Sequence, residues 1–372
     1  MNKSLIQILT ELVNIKTYDN VTENHNMIHY LEDCFKDCVE TKKIISESKK
    51  CHLLVGINTS LNDLNDCILL SGHIDTIPPS QGHKASCVIN GNVAYGLGVS
   101  DMKSFIASVI YNIDKIKKCK YPVVLSITSD EEVDFFGILA IIEAMKARKI
   151  TPGLIIVGEP TDLQYSIANR GNTIFESKMC GDSCHASTPE LGINAITLTA
   201  NYINKLEEIN NKFNKNATLC VTSIRGGSVP NIVPDECITE FSVRTDNAKT
   251  LSYITKMLQE WHTAIANNSN STLKNVYDIP PFEKRDNKFA RYLSPKTQTS
   301  ITSSTFTTEA GDLQLAFENA EIFLYGPGNP TSIHKKGEYI DLNKLKQYTD
   351  ELPKILDLYT QYTKECVDEK TL

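Results

Sequence analysis

No apolar run among the 372 residues approaches the length of a membrane span. The opening stretch, MNKSLIQILTELVNIKTYD, lacks the unbroken apolar core of a signal peptide, because Gln7, Thr10 and Glu11 interrupt it. Leu5, Ile8, Leu9, Leu12 and Val13 instead predict one face of an amphipathic helix. No C-x-x-C occurs among the eleven cysteines, and only Cys34/Cys38 and Cys180/Cys184 lie four apart. That pattern excludes a matched zinc-thiolate site and suits reduced thiols in a soluble, cytoplasmic protein. An excess of positive charge is also missing. The formal charge of −7 argues against broad nucleic-acid binding, which needs a basic face. Internal repeats and low-complexity segments are absent too.

What is present is an ordinary globular composition, 41% hydrophobic and 22% charged, in a chain long enough for two domains. The first part alternates helix and strand. Asn24–Cys38 reads as helix, Cys51–Val55 and Cys67–Ser71 as strands, and Phe105–Ile116 as helix. Tyr121–Thr128 and Leu154–Val157 are short continuous apolar runs of the kind buried on both faces, with a helix at Phe135–Arg148 between them. This predicts an α/β domain with a mostly parallel, mixed sheet. From about residue 166 the order becomes β-α-β-β-α-β, the split arrangement of a ferredoxin-like α+β domain. After DIPPFEKRDN the chain re-enters the first pattern, with a strand at Glu321–Gly326 and a helix at Asn343–Lys364. The expected division is 1–165 and 284–372 for the first domain, with 166–283 inserted.

Ligands of open α/β sheets bind beyond the carboxyl ends of strands. Those ends carry His73 and Asp75 in SGHIDTIP, Asp130, Glu131 and Glu132 in SITSDEEVDFFG, Glu159 in GEPTDL, and His334 in PGNPTSIHKKGEY. Asp101 follows a glycine-rich turn, YGLGVSDMKS. Ser129 with Glu132 three residues on also spells a capping box, and Asp130 reads as a cap or turn residue. A cap accounts for one acid but not for the joint pattern. Carboxylates crowded in one cleft repel, and two imidazoles with several carboxylates suit zinc or a similar ion. Other histidines read as bland. His25 and His29 lie four apart but without H-E-x-x-H, His83 sits in a polar loop, and His262 lies on a helix face. GLGVSD ends in Asp101 where a dinucleotide loop needs glycine, and GGSVP lacks the last glycine of a serine-hydrolase elbow.

The motifs SGHIDTIP, GLGVSDMKS, TSDEE, VGEPT, HASTPELGINAI, NIVP…VR and IHKKGEY, in this order over nearly the whole chain, resemble the co-catalytic zinc amidohydrolases and peptidases. That family includes acetylornithine deacetylase, succinyl-diaminopimelate desuccinylase, carboxypeptidase G and aminoacylase. The resemblance implies two divalent metal ions, zinc or cobalt. Asp101 would bridge them, with His73 and Glu159 on one and Glu132 and His334 on the other. Asp75 would orient the His73 ring, and Glu131 would be the general base. The Asp101–Met102 peptide would be cis. The inserted domain would be a lid and dimerisation domain, its His185 reaching a partner's site in a homodimer to help hold the oxyanion. Asn231 and Arg244 would bind the substrate carboxylate.

The implied activity is hydrolysis of the amide of an N-acyl amino acid or short peptide. FTTEAGDLQ…YGPGNPTSIHKKGEYI is more similar to acetylornithine deacetylase than to the desuccinylase, implying N2-acetylornithine as substrate in arginine biosynthesis. A desuccinylase, a metallo-carboxypeptidase or dipeptidase, and a non-catalytic amino-acid-binding protein on the same fold are the alternatives. The last has no use for an unliganded Glu131. Three positions depart from the family pattern: Leu97 for arginine, Ser104 for glycine and Cys184 for glycine.

Overall fold

A computed structural model describes residues 3–18, 21–79, 86–213, 216–266 and 270–369. The chain divides into two compact units, the first Met1–Ile167, Lys284–Ser304 and Thr308–Leu372, the second Ala168–Glu283 with Thr305–Thr307.

The first unit is built on an eight-stranded sheet. Its order is Glu40–Ile45, Cys51–Gly56, Val123–Thr128, Ile68–His73, Leu154–Val157, Glu321–Leu324, Tyr165–Ser166 and Ile301–Thr302. The central strands Val123–Thr128, Ile68–His73, Leu154–Val157 and Glu321–Leu324 run parallel, and the Cys51 edge is antiparallel. The fold is α/β with a mostly parallel sheet. The central strands are buried on both faces, which is why they read as unbroken apolar runs. The helix Leu5–Asn14 lays Ile8, Leu9, Leu12 and Val13 into this core, and Ser4 and Gln7 close its start with a reciprocal capping box. Each such buried side chain contributes on the order of 2 kcal/mol. Glu40–Ile45 was not legible as a strand. It is an edge strand whose sequence, ETKKII, carries the exposed charge that guards an edge.

Parallel register puts three strand ends side by side. His73 pairs with Thr128, and Ser71 with both Ser126 and Val157. The residues just beyond these ends therefore share one edge of the sheet, as the parallel arrangement requires.

In the second unit the strands Gly171–Cys180, Ala217–Gly226, Glu236–Thr245 and Thr272–Ile279 form an antiparallel sheet. Its order is Ala217–Gly226, Glu236–Thr245, Gly171–Cys180, Thr272–Ile279. Gly171–Cys180 and Glu236–Thr245 alternate buried and half-buried residues, so one face is a core and the other polar. Helices Ala195–Phe213 and Ala248–Ile265 supply Tyr202, Leu206, Ile254 and Leu258 to a core with Phe175 and Phe241, which stack at 5.5 Å.

All eleven cysteines are free thiols. No helix among the described residues is long and apolar enough to cross a membrane.

Candidate metal centre

His73 ends its strand and is buried. Its Nδ1–H donates to the backbone carbonyl of Asp75 at 3.0 Å, with Asp75 Oδ1 at 3.5 Å. That bond fixes the ring and leaves Nε2 to face Asp101 Oδ1 at 3.1 Å and Glu131 Oε2 at 4.0 Å. Asp101 closes the glycine-rich turn. Gly98 there has φ +81°, and a Cβ on it would meet Thr76 Cγ2 at 2.7 Å, so only glycine makes the turn. The Asp101–Met102 peptide is cis.

The adjacent acids after Thr128 face different partners. Glu132 Oε1 lies 3.0 Å from His334 Nε2, which is also 3.5 Å from Asp101 Oδ2. The Glu131 carboxylate lies near His73 and accepts no hydrogen bond among the described residues. Glu159, two residues past Val157, is buried, and its Oε1 has no hydrogen-bond partner.

Three donor groups result: His73–Asp101–Glu159, Asp101–Glu132–His334 and His73–Glu131–Glu132, the atoms of each within 4.8 Å of one another. Asp101 is common to the first two. Burial lowers His73, but its hydrogen bonds to Asp101 and Asp75 and the charge of Glu131 carry it well above its ordinary value. Hydrogen bonds to Asp101 and Glu132 lift His334 to about 10. Burial pushes Glu131 well up against the pull of His73, and Glu159, Glu132 and Asp101 add to the rise. Glu159 is raised by burial and by Asp101. Acids crowded in this way around two imidazoles repel one another, a cost that a bound cation would offset. Imidazole and carboxylate donors with no thiolate, and one orphaned buried carboxylate oxygen, fit zinc or a similar first-row ion.

The capping box expected of Ser129 and Glu132 does not form. The helix begins later, at Phe136, and Ser129 Oγ instead donates to the Cys51 carbonyl at 2.5 Å. Asp130 is the cap. Its Oδ1 accepts the Gly137 N–H at 2.9 Å, and its Oδ2 accepts from Ser48 Oγ at 3.2 Å, with His52 Nε2 3.7 Å away.

Two buried acids escaped the sequence reading. Glu309 accepts hydrogen bonds from Ser71 Oγ and Thr128 Oγ1, tying together the strands that lead to His73 and Asp130. Glu338 accepts backbone N–H groups of the Asp101 turn. Each is a single glutamate in a loop segment with no telling spacing, and the one signal is that they lie inside FTTEAGDLQ and IHKKGEY, stretches that carry the resemblance.

The second unit holds His185, Asn231 and Arg244. His185 is exposed, and its Nδ1 accepts the Ser187 N–H at 3.2 Å with Ser187 Oγ at 2.7 Å. A neutral ring held this way carries its proton on Nε2. The Ala186 N–H donates to the Asn231 carbonyl at 2.9 Å, so His185 and Asn231 lie on adjacent segments. Half-buried Arg244 donates to Thr307 Oγ1 at 3.0 Å, and burial together with the charge of Arg170 lowers its pKa. His25 and His29 lie on a solvated helix face, His262 is buried against Tyr202, and His83 lies outside the described residues.

The chain is 29% identical over 361 residues to the acetylornithine deacetylase of Buchnera aphidicola subsp. Acyrthosiphon pisum (strain Tuc7), covering 91% of this chain and 92% of that one. Among solved structures it resembles a tripeptidase of Staphylococcus aureus subsp. aureus Mu50, with a TM-score of 0.78, 19% identity and coverage of 95% and 97%. It also resembles a dinuclear metal-binding peptidase of the M20 family from Bacillus subtilis, with a TM-score of 0.66, 15% identity and coverage of 95% and 97%. Residues 69–357 match Peptidase family M20/M25/M40. That span contains every residue of the three donor groups, and the chain belongs to this family of hydrolases.

Proposed function

We propose that the protein is a metal-dependent amidohydrolase that removes the acyl group of an N-acyl amino acid, with N2-acetylornithine, giving ornithine and acetate, as its substrate in arginine biosynthesis. The observation that carries this reading is the pair of donor groups sharing Asp101, with the unbonded carboxylate of Glu131 beside them. Asp101, His73 and Glu159 would hold one divalent ion, and Asp101, Glu132 and His334 the other, zinc or cobalt in each. Such ions supply Lewis-acid polarisation of the scissile carbonyl and a water acidified towards neutrality.

The protein's own groups do the rest. Asp75 holds the His73 ring by its carbonyl. Glu131, its carboxylate unbonded beside the donor groups, takes the proton of the attacking water and delivers it to the leaving amine. His185, with its proton on Nε2, is a donor for the developing oxyanion. Asn231 and Arg244 would bind the α-carboxylate, for which the Arg244 fork is suited.

The name of the Buchnera relative supports acetylornithine, and the free cysteines support a cytoplasmic protein. A homodimer through the second unit, with His185 serving the partner's site, completes the reading. The likeness to a tripeptidase favours a second reading, cleavage of short peptides by the same groups.

A hydrolysis panel with added zinc or cobalt tests the proposal, using N2-acetylornithine, N-succinyl-diaminopimelate, other N-acetyl amino acids and di- and tripeptides. The expected result is preference for N2-acetylornithine. Preference for peptides selects the second reading, and no turnover of any of them rejects both.

A further inference from the structure

The turn that presents Asp101 has few hydrogen bonds of its own. Residues 96–101 lie between a short strand, Val93–Tyr95, and a helix, Lys103–Tyr111, that starts without a side-chain cap. Buried N–H groups in such a turn need acceptors from elsewhere. One side chain supplies them. Glu338 Oε1 accepts from the N–H of Ser100 at 2.8 Å and of Asp101 at 3.2 Å, while Oε2 accepts from the N–H of Gly98 at 3.0 Å. The Glu338 carbonyl takes a fourth, from Gly96 N–H at 3.2 Å. Around this clamp Ser100 Oγ donates to the Tyr339 carbonyl at 2.8 Å, and the Asn329 N–H donates to Ser100 Oγ at 3.0 Å.

The clamp joins two segments that each carry a member of a donor group. Glu338 is four residues past His334, and it grips the backbone of Asp101 itself. Neither its carboxylate nor its carbonyl belongs to the donor groups. Glu338 is buried, 3% exposed, although it carries a carboxylate.

From this geometry we infer that Glu338 is a positioning residue, setting the separation of Asp101 from His334 by docking the Asp101 turn onto the His334 segment. The inference rests on the reading of Asp101 and His334 as metal ligands. Removing the carboxylate leaves three buried N–H groups unpaired, one of them on Asp101, the residue shared by both sites, so both ions should be held less well. Loss of such a supporting bond typically costs about 10- to 100-fold in metal affinity.

The test is a cobalt(II) titration of metal-free protein, followed by its visible absorption, for the wild type, Glu338→Ala and Glu338→Gln. Amide hydrogen exchange is measured on the same metal-free samples. Glu338→Ala should bind cobalt about 10- to 100-fold more weakly, with faster exchange at Gly98, Ser100 and Asp101. Glu338→Gln keeps one carbonyl oxygen for Ser100 and Asp101 but turns an NH2 towards Gly98, so its affinity should fall in between. If Glu338→Ala does not fold, Glu338→Gln decides alone. A folded variant that binds cobalt with wild-type affinity and spectrum overturns the inference, whatever its thermal stability, because a merely structural role would lower stability without changing affinity. Failure of the wild type to bind cobalt removes the metal-ligand reading, and this inference with it.

Discussion

The carboxylate of Asp75 holds the backbone of Glu132. Asp75 Oδ2 accepts the Glu132 N–H at 2.9 Å, while Oδ1 takes the Glu131 N–H at 3.3 Å and lies 3.5 Å from His73 Nδ1. One buried acid thus fixes an imidazole and both adjacent glutamates. Asp75→Ala should weaken cobalt binding about 10- to 100-fold, and Asp75→Asn, which keeps one acceptor oxygen, should weaken it less. Equal affinity in all three proteins, read by equilibrium dialysis, would separate Asp75 from the metal centre.

Glu131 and Glu132 should part company on substitution. Glu131→Gln should retain both ions and lose about 100- to 10,000-fold in kcat, the range of a general base. Glu132→Gln should lose metal first. Metal content and kcat measured on the same preparations check this, and turnover that persists in Glu131→Gln would sink its role as the base.

Removal of metal should abolish turnover and also soften the fold. The donor groups crowd like charges in a buried place, and an ion bound only by the folded protein stabilises it. Zinc at about a hundred times its Kd should add about 2.7 kcal/mol to unfolding. The check is a rise in Tm on titrating zinc into chelator-treated protein, with return of activity. Full activity in chelator would count against metal dependence.

Arg244 and its neighbour Thr307 give a binding-side prediction. Arg244→Ala removes a charged, half-buried hydrogen-bond donor, so KM for an N-acyl amino acid should rise about 10- to 100-fold with kcat little changed. Arg244→Lys should recover only part of that, since a lysine cannot pair both carboxylate oxygens. A fall in kcat with KM unchanged would assign Arg244 to the chemistry instead.

The second unit should lose stability in acid through His262. Burial holds this ring below its ordinary value of 6.5, and it lies edge-on to Tyr202 at 5.4 Å. The unfolded chain takes up a proton near pH 6.5 and the folded one resists it. The His262 contribution is therefore complete above that pH and is lost as pH falls towards the folded value. Tm measured from pH 7.5 to 5.0 should fall less steeply for His262→Leu than for the wild type. Equal slopes would place the acid sensitivity elsewhere.

The legibility of the fold followed burial. Leu154–Val157 is legible to the residue because a strand covered on both faces leaves no polar interruption. Glu40–Ile45 was missed because lysines at an edge erase the alternation, and Val88–Asn90, Val93–Tyr95 and Tyr339–Asp341 are too short to show a period. The His73, Asp101, Glu132, Glu159 and His334 positions stand out because each lies at or beyond the end of a strand or a glycine turn. Glu309 and Glu338 do not, since their partners are hydroxyls and backbone N–H groups far away in the chain, and such partners leave no local pattern. Ser129–Glu132 is ambiguous in sequence, because a helix cap and a candidate metal-binding acid use the same residue types.

The place of Glu321–Leu324 in the sheet bears on how the chain is made. This strand lies between Leu154–Val157 and Tyr165–Ser166, which are close in sequence but are separated in the sheet by it. On the ribosome both neighbours emerge first, and the whole second unit is synthesised before the strand that belongs between them. Through that interval the edge of Leu154–Val157 is apolar and unpaired, the kind of surface that recruits a foreign strand. Nascent chains halted before residue 321 should therefore aggregate or depend on chaperones, while chains released past it close the gap themselves.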